Sequence, residues 1–261
     1  MTFPNIDPIA FSIMGWPVHW YGLAYMAAFL FGTTYLSFAF KKRPADNFPI
    51  QKLDDVFVWI FAGVILGGRL GYVLFYSPEY FMHHLADIPK MWQGGMSFHG
   101  GLLGVITGTY LYCLKHKLSF FDLMDRMAPT ACIGLFLGRM ANFINGELYG
   151  NVTTSPLGMI FPNGGALPRH PSQLYEAALE GIVLFILLNI VLFARKKARR
   201  MELSGLFLIG YGLARFTVEF FRARDANLTN GIFEVISMGQ ILCIPMIVVG
   251  MWFVFKTRKP V

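Results

Sequence analysis

Arg139, Asn142, Asn145 and Glu147 stand at the far end of an apolar run that begins near Ala128. An arginine in such a run is costly unless it faces a partner or a wet cavity. On a helix, Arg139, Asn142 and Gly146 share one face, at i, i+3 and i+7. Asn145-Gly146 reads as a helix stop, because both residues tolerate a left-handed backbone. Glu147 then follows the turn. A guanidinium flanked by amides suits an anionic headgroup, since arginine is always charged and binds phosphate through two parallel hydrogen bonds. The plainer alternative is an Arg139–Glu147 pair that merely staples helices. These residues alone leave both readings open.

The elements that position them are membrane spans. Of 261 residues, 55% are hydrophobic and only 14% charged, against about 25% charged in soluble domains. The apolar residues fall in seven blocks: about Trp20–Phe40, Val56–Tyr76, His99–Leu114, Ala128–Ile144, Leu174–Ala194, Leu206–Phe221 and Ile236–Phe255. Each is close to the length a helix needs to cross a bilayer. The expected fold is an all-α integral membrane protein of about seven transmembrane helices, forming a single polytopic domain over residues 1–261. The net charge of +7 does not indicate nucleic acid, because Lys and Arg cluster between apolar blocks. Lys41, Lys42, Arg43 and Lys52, then Lys115, Lys117 and Arg126, then Arg195, Lys196, Lys197, Arg199 and Arg200, then Lys256, Arg258 and Lys259 fall on one side. Those are 15 of the 22 basic residues, which places the N-terminus outside and the C-terminus in the cytoplasm. The first 19 residues hold no Lys or Arg, so a cleavable signal peptide is not expected.

That orientation gathers the polarity within the membrane at one depth. His19, Tyr21, Arg69, His99, Arg139, Asn142, Glu147, His170, Glu176, Arg215, Glu219, Arg222, Glu234, Ser237 and Gln240 all fall in or near the outer half. A polar cavity opening towards the outer leaflet accounts for this better than independent staples. Glycines within spans, such as Gly63, Gly67, Gly68 and Gly71, or Gly205, Gly210 and Gly212, read as close helix packing. Segments 77–98 and 150–171 read as ordinary connections or interfacial flaps. Cys113, Cys132 and Cys243 all lie in apolar blocks, so neither a disulfide framework nor a zinc pattern is indicated. His83-His84 lacks metal-ligand companions, and Ser97 lacks the oriented partners a serine nucleophile needs.

Residues 138–150, GRMANFINGELYG, closely resemble the signature of prolipoprotein diacylglyceryl transferases, a pattern near G-R-x-G/A-N-F-x-N-x-E-x-x-G. His19-Trp20-Tyr21-Gly22, Gly67-Gly68-Arg69, Gly95-Met96-Ser97-Phe98-His99-Gly100-Gly101, Arg169–Glu176 and Glu219-Phe220-Phe221-Arg222 resemble that family in the same order. The resemblance implies an enzyme of the bacterial inner (cytoplasmic) membrane. It implies transfer of the diacylglyceryl group of phosphatidylglycerol to the thiol of the lipobox cysteine in a prolipoprotein signal peptide, releasing glycerol phosphate. No metal or cofactor is implied; the partners are the two substrates and membrane lipids.

On that reading Arg139 and Arg222 hold the phosphate with Asn142 assisting, and His99 takes the thiol proton. Tyr21 and Glu147 orient the headgroup or the arginines, and Gly150 lines the lipid site. His170, Glu176, Asn145 and Arg69 support them. Arg69 and Arg215 serve equally well as counter-charges to Glu219 or Glu147. Two alternatives belong to other classes: a transporter or channel for an anionic solute with an arginine-lined site, and a non-catalytic lipid-binding scaffold. Spans one, three, five and seven are nearly free of polar residues in their inner halves, which counts against a transport path.

Overall fold

The computed structural model describes residues 1–4, 6–45, 48–194, 199–223 and 236–256. Arg195, Lys196, Lys197, Arg224, Glu234, Arg258 and Lys259 lie outside them. Among the described residues, 69% are helical, and five helices are long and apolar enough to cross a membrane: Trp20–Lys42, Ile50–Phe75, Phe120–Ile144, Ser172–Ala194 and Met238–Lys256. At most 33% of any such span is buried within the protein. Phe29, Leu66, Ile186 and Val248 are all exposed. Apolar faces of this extent are untenable in water and ordinary against lipid. The chain is a multi-pass, all-α membrane protein. It divides into two compact units, residues 1–39 with 124–261, and residues 40–123.

The larger unit opens with a hairpin absent from the expected spans, β1 (Ile9–Ile13) paired antiparallel with β2 (Trp16–His19). Met14 and Gly15, both at positive φ, make its turn. Helix α1 (Trp20–Lys42) follows directly. In the smaller unit come α2 (Leu53–Phe75), α3 (Pro78–His83) and α4 (Phe98–His116). Helix α5 (Phe120–Ile144) starts at Phe120 rather than near Ala128. Its first turns carry Asp122, Asp125 and Arg126, which resemble loop composition. Asp125 is nevertheless buried, and its carboxylate accepts from the Ser204 amide at 2.8 Å and hydroxyl at 2.6 Å. It thereby satisfies a free N–H at the start of α8.

The expected fifth span is one rod of three parts: α6 (Ser172–Glu176), a π-helical stretch over Ala177–Val183, and α7 (Leu184–Ala194). Helices α8 (Glu202–Val218) and α9 (Met238–Lys256) complete the unit. Its apolar core joins Ala39, Ala128, Cys132, Leu184, Leu188, Leu192 and Leu203. Tyr35 of α1 donates to Asn189 of α7 at 2.6 Å, a polar tie inside the apolar layer.

Glycine sets the closest approaches. Gly63, Gly67 and Gly71 on α2 face Gly100, Gly104 and Gly108 on α4, each row stepping by four residues along one helix face. A Cβ at Gly71 would sit 2.7 Å from the Gly100 Cα. Gly205 of α8 packs on the Gly250 carbonyl of α9 in the same way, with 2.8 Å left for a Cβ. These stripes are the packing expected of small residues in membrane helices.

Candidate functional site

Helix α5 ends where its sequence says it should. Gly146 sits at φ +64, its N–H donates to the Phe143 carbonyl at 2.9 Å, and the Glu147 N–H donates to the Asn142 carbonyl at 3.1 Å. This pair of bonds is the Schellman motif, which caps the last free carbonyls of the helix. The reversal brings Glu147 back over the helix end. Its Oε1 accepts from Asn142 Nδ2 at 2.8 Å and from Asn145 Nδ2 at 3.4 Å. Glu147 is thus held by the two amides and does not pair with Arg139, which corrects the staple reading.

The turn is then fastened to the start of the next helix. Gln173 Nε2 donates to the Glu147 carbonyl at 2.6 Å, and Ser172 Oγ donates to the Leu148 carbonyl at 2.9 Å. Gly150 is a junction between strands of backbone. Its N–H donates to the His170 carbonyl at 2.8 Å, and the adjacent Asn151 N–H donates to the Phe221 carbonyl at 2.8 Å. A Cβ on Gly150 would lie 2.8 Å from that of His170. Segment 150–171 is therefore no plain connection. Arg169 donates to the Gly164 carbonyl at 2.7 Å and lies over the Tyr149 ring. His170 faces the Tyr175 hydroxyl at 3.2 Å and packs on Phe221.

Arg139 turns towards the helix that this fastening positions. Its Nε lies 3.1 Å from Glu176 Oε2, and its NH2 lies 3.6 Å from Glu180 Oε2. Arg222, held by the backbone junction at Gly150, reaches the other Glu176 oxygen at 3.1 Å. Arg215 of α8 pairs with that same oxygen and, at 2.7 Å, with Glu219. Three guanidinium groups from three segments thus meet on one carboxylate, and Glu176 is 0% exposed. A buried carboxylate is tenable only with partners of this kind. The arrangement is an arginine cradle in which each guanidinium carries more donors than its carboxylates use, so it can offer hydrogen bonds to a further acceptor.

Of the remaining expected residues, Tyr21 belongs to the larger unit, and His99 and Arg69 to the smaller. Tyr21 is exposed on α1, its hydroxyl 3.3 Å from that of Tyr25. His99 is exposed on the first turn of α4, behind Ser97, whose hydroxyl accepts from the Gly100 N–H at 3.1 Å and caps the helix. Arg69, in the smaller unit, is not a counter-charge to Glu219 or Glu147. It is 5% exposed and donates to the carbonyls of Asp87, Ile88, Lys90, Gly94 and Gly95 at 2.6–3.3 Å. That fastens segment 85–95, expected as an ordinary connection or flap, into a shaped loop containing α3 and short 3-10 turns.

Sequence reasoning missed Glu180 and undervalued Arg215. Both carried a readable signal: an acid inside an apolar span, and an Arg-Glu pair at i, i+4.

A family model described as prolipoprotein diacylglyceryl transferase matches residues 8–256. A Rickettsia felis protein named phosphatidylglycerol–prolipoprotein diacylglyceryl transferase is 48% identical over 260 residues, covering 99% of this chain and 99% of its own. A relative of that name from Nitratidesulfovibrio vulgaris is 46% identical over 252 residues, 97% of this chain and 95% of its own. One from Pseudomonas paraeruginosa is 48% identical over 250 residues, 96% and 93% respectively. The family match runs from the hairpin through the last helix and takes in every residue of the arginine cradle. The chain belongs to the prolipoprotein diacylglyceryl transferase family.

Proposed function

We propose that this chain transfers the diacylglyceryl group of phosphatidylglycerol to the cysteine thiol of a prolipoprotein lipobox, in the bacterial inner membrane, with the N-terminus outside. A C–S bond forms at the glyceryl carbon that bears the phosphate, and that carbon's bond to the phosphate oxygen breaks. Glycerol phosphate leaves with the electron pair, and the thiol proton passes to a base. The observation that carries this reading is the convergence of Arg139, Arg215 and Arg222 on buried Glu176.

Negative charge develops on the departing phosphate. Guanidinium groups already aimed at one point in a low-dielectric site stabilise it without reorganisation. Arg139 and Arg222 hold the phosphate and Arg215 joins them. Asn142 assists them, and Glu147, which holds Asn142 and Asn145, orients the headgroup together with Tyr21. The thiol, with an unperturbed pKa of about 8.5, must ionise before it attacks. His99 is the proposed base, since an imidazole is the side chain most often used to accept a proton.

The test is incubation of the purified protein with phosphatidylglycerol and a synthetic lipobox peptide. Mass spectrometry should show a gain of one diacylglyceryl group on the cysteine; an unmodified peptide excludes the reading. In His99→Gln the pH profile of turnover should lose its imidazole limb. An unaltered profile assigns proton removal to another group.

A further inference from the structure

The ion pairs of the cradle join three guanidiniums, on Arg139, Arg215 and Arg222, to three carboxylates, on Glu176, Glu180 and Glu219. Their formal charges cancel. On the reading proposed above, a phosphodiester anion enters this group, and three positive charges then face four negative ones. An uncompensated charge out of water is costly. One proton, placed on one of the carboxylates, restores the balance.

The three carboxylates are not equivalent. Glu176 touches all three guanidiniums, and Glu219 lies 2.7 Å from Arg215. Glu180 is 0% exposed, and among the described residues neither of its oxygens accepts a hydrogen bond and its one ionic contact is Arg139 NH2 at 3.6 Å. It projects from the π-helical stretch, an interruption of the i→i+4 ladder that recurs at functional sites. The other titratable groups within its electrostatic reach are Cys132 of α5, Tyr211 and Arg215 of α8, Cys243 of α9 and Glu176 on its own rod. Among these only Arg215 is a cation, and it is already paired with Glu176 and Glu219.

We propose that Glu180 takes up one proton from water as the anionic lipid binds, and returns it when glycerol phosphate leaves. Protonation releases Arg139 NH2 from Glu180 to the phosphate and gives the site a carboxylic O–H as a further donor. Glu180 is thus a positioning residue that acts through Arg139. It makes lipid capture a proton-coupled step, separate from the proton the thiol gives up.

The sign follows from linkage. If the bound state holds one proton more than the free state, apparent affinity falls as pH rises, approaching about tenfold per pH unit where the coupling is complete. In lipid nanodiscs, the KM for phosphatidylglycerol of the wild-type protein should climb with pH. Glu180→Gln, permanently neutral, should give a flat KM, and Glu180→Asp should restore the slope. Infrared difference spectra on adding phosphatidylglycerol, read without any turnover, should show a protonated-carboxylic-acid carbonyl band in wild type that is missing in Glu180→Gln. A pH-independent wild-type KM, an unchanged slope in Glu180→Gln, or a band that survives that substitution overturns the proposal. An absence of peptide modification in wild type strikes the transferase reading instead, and the infrared measurement still decides the protonation.

Discussion

Arg69 and Arg139 both sit in apolar helices, and from sequence they pose the same question. The answers differ. Arg69 places all five guanidinium donors on five backbone carbonyls of one loop. Nothing is left for a ligand, and the carbonyls have no substitute donor. Arg139 meets two carboxylates at 3.1 and 3.6 Å, groups that another anion or a proton can displace. An intramembrane arginine saturated by backbone is architecture, whereas one held by acids is exchangeable and available for chemistry. The identity of the acceptor separates the two more sharply than depth or burial.

Exchange to lysine keeps the charge and removes the fork, so it tests that contrast directly. Arg139→Lys should lower turnover of the lipobox peptide by about 10²–10³-fold while the thermal midpoint in nanodiscs stays near that of wild type. Turnover within a fewfold of wild type would remove Arg139 from the machinery. Arg69→Lys should behave in the opposite way. Three donors replace five, so two carbonyl bonds to a charged donor are lost, and stability should drop by about 2–5 kcal/mol. Turnover per folded molecule should change by less than threefold. A collapse of turnover at unaltered stability would erase the distinction between the two arginines.

The smallest effect concerns the loop that Arg69 organises. Asp87 accepts from Lys90 Nζ and from the Tyr80 hydroxyl, each at 2.6 Å. The Lys90 bond first, then that of Tyr80, holds its carboxyl below the ordinary range. A depressed folded value means the contribution is present above the ordinary carboxylate range and is lost as pH falls through the lowered value. Amide exchange in segment 85–95 should therefore stay slow at neutral pH and quicken slightly only below about pH 4. In Asp87→Asn that acid-dependent step should disappear. A step that survives Asp87→Asn would assign it to another group.

Much of the fold was readable because lipid imposes long apolar runs, and little else in a sequence resembles them. The stop at Asn145-Gly146 and the glycine stripes were readable too, since each depends on local backbone freedom or size. The hairpin at residues 9–19 was not: its strands are short and mostly exposed. The start of α5 was hidden because Asp122, Asp125 and Arg126 look like surface, while Asp125 serves another helix. For the site, residue types were legible and their partners were not. Arg69 binds carbonyls, which leave no mark in the sequence, and Arg215 meets Glu176 across 39 positions. Only its i, i+4 pair with Glu219 could be seen along the chain.

The π-helical stretch over Ala177–Val183 has a consequence for how this rod tolerates length changes. An i→i+5 ladder holds one residue more than the α-helix it interrupts. Deleting a single residue there should let the backbone relax into a regular and thermally sturdier helix. Because the stretch absorbs that extra residue, Glu176 keeps its phase, whereas Glu180, inside the stretch, loses its place beside Arg139. Such a shortened protein should outlast its parent on heating and lose the pH dependence of its KM for phosphatidylglycerol, so the least comfortable turn of the rod is the one that places Glu180.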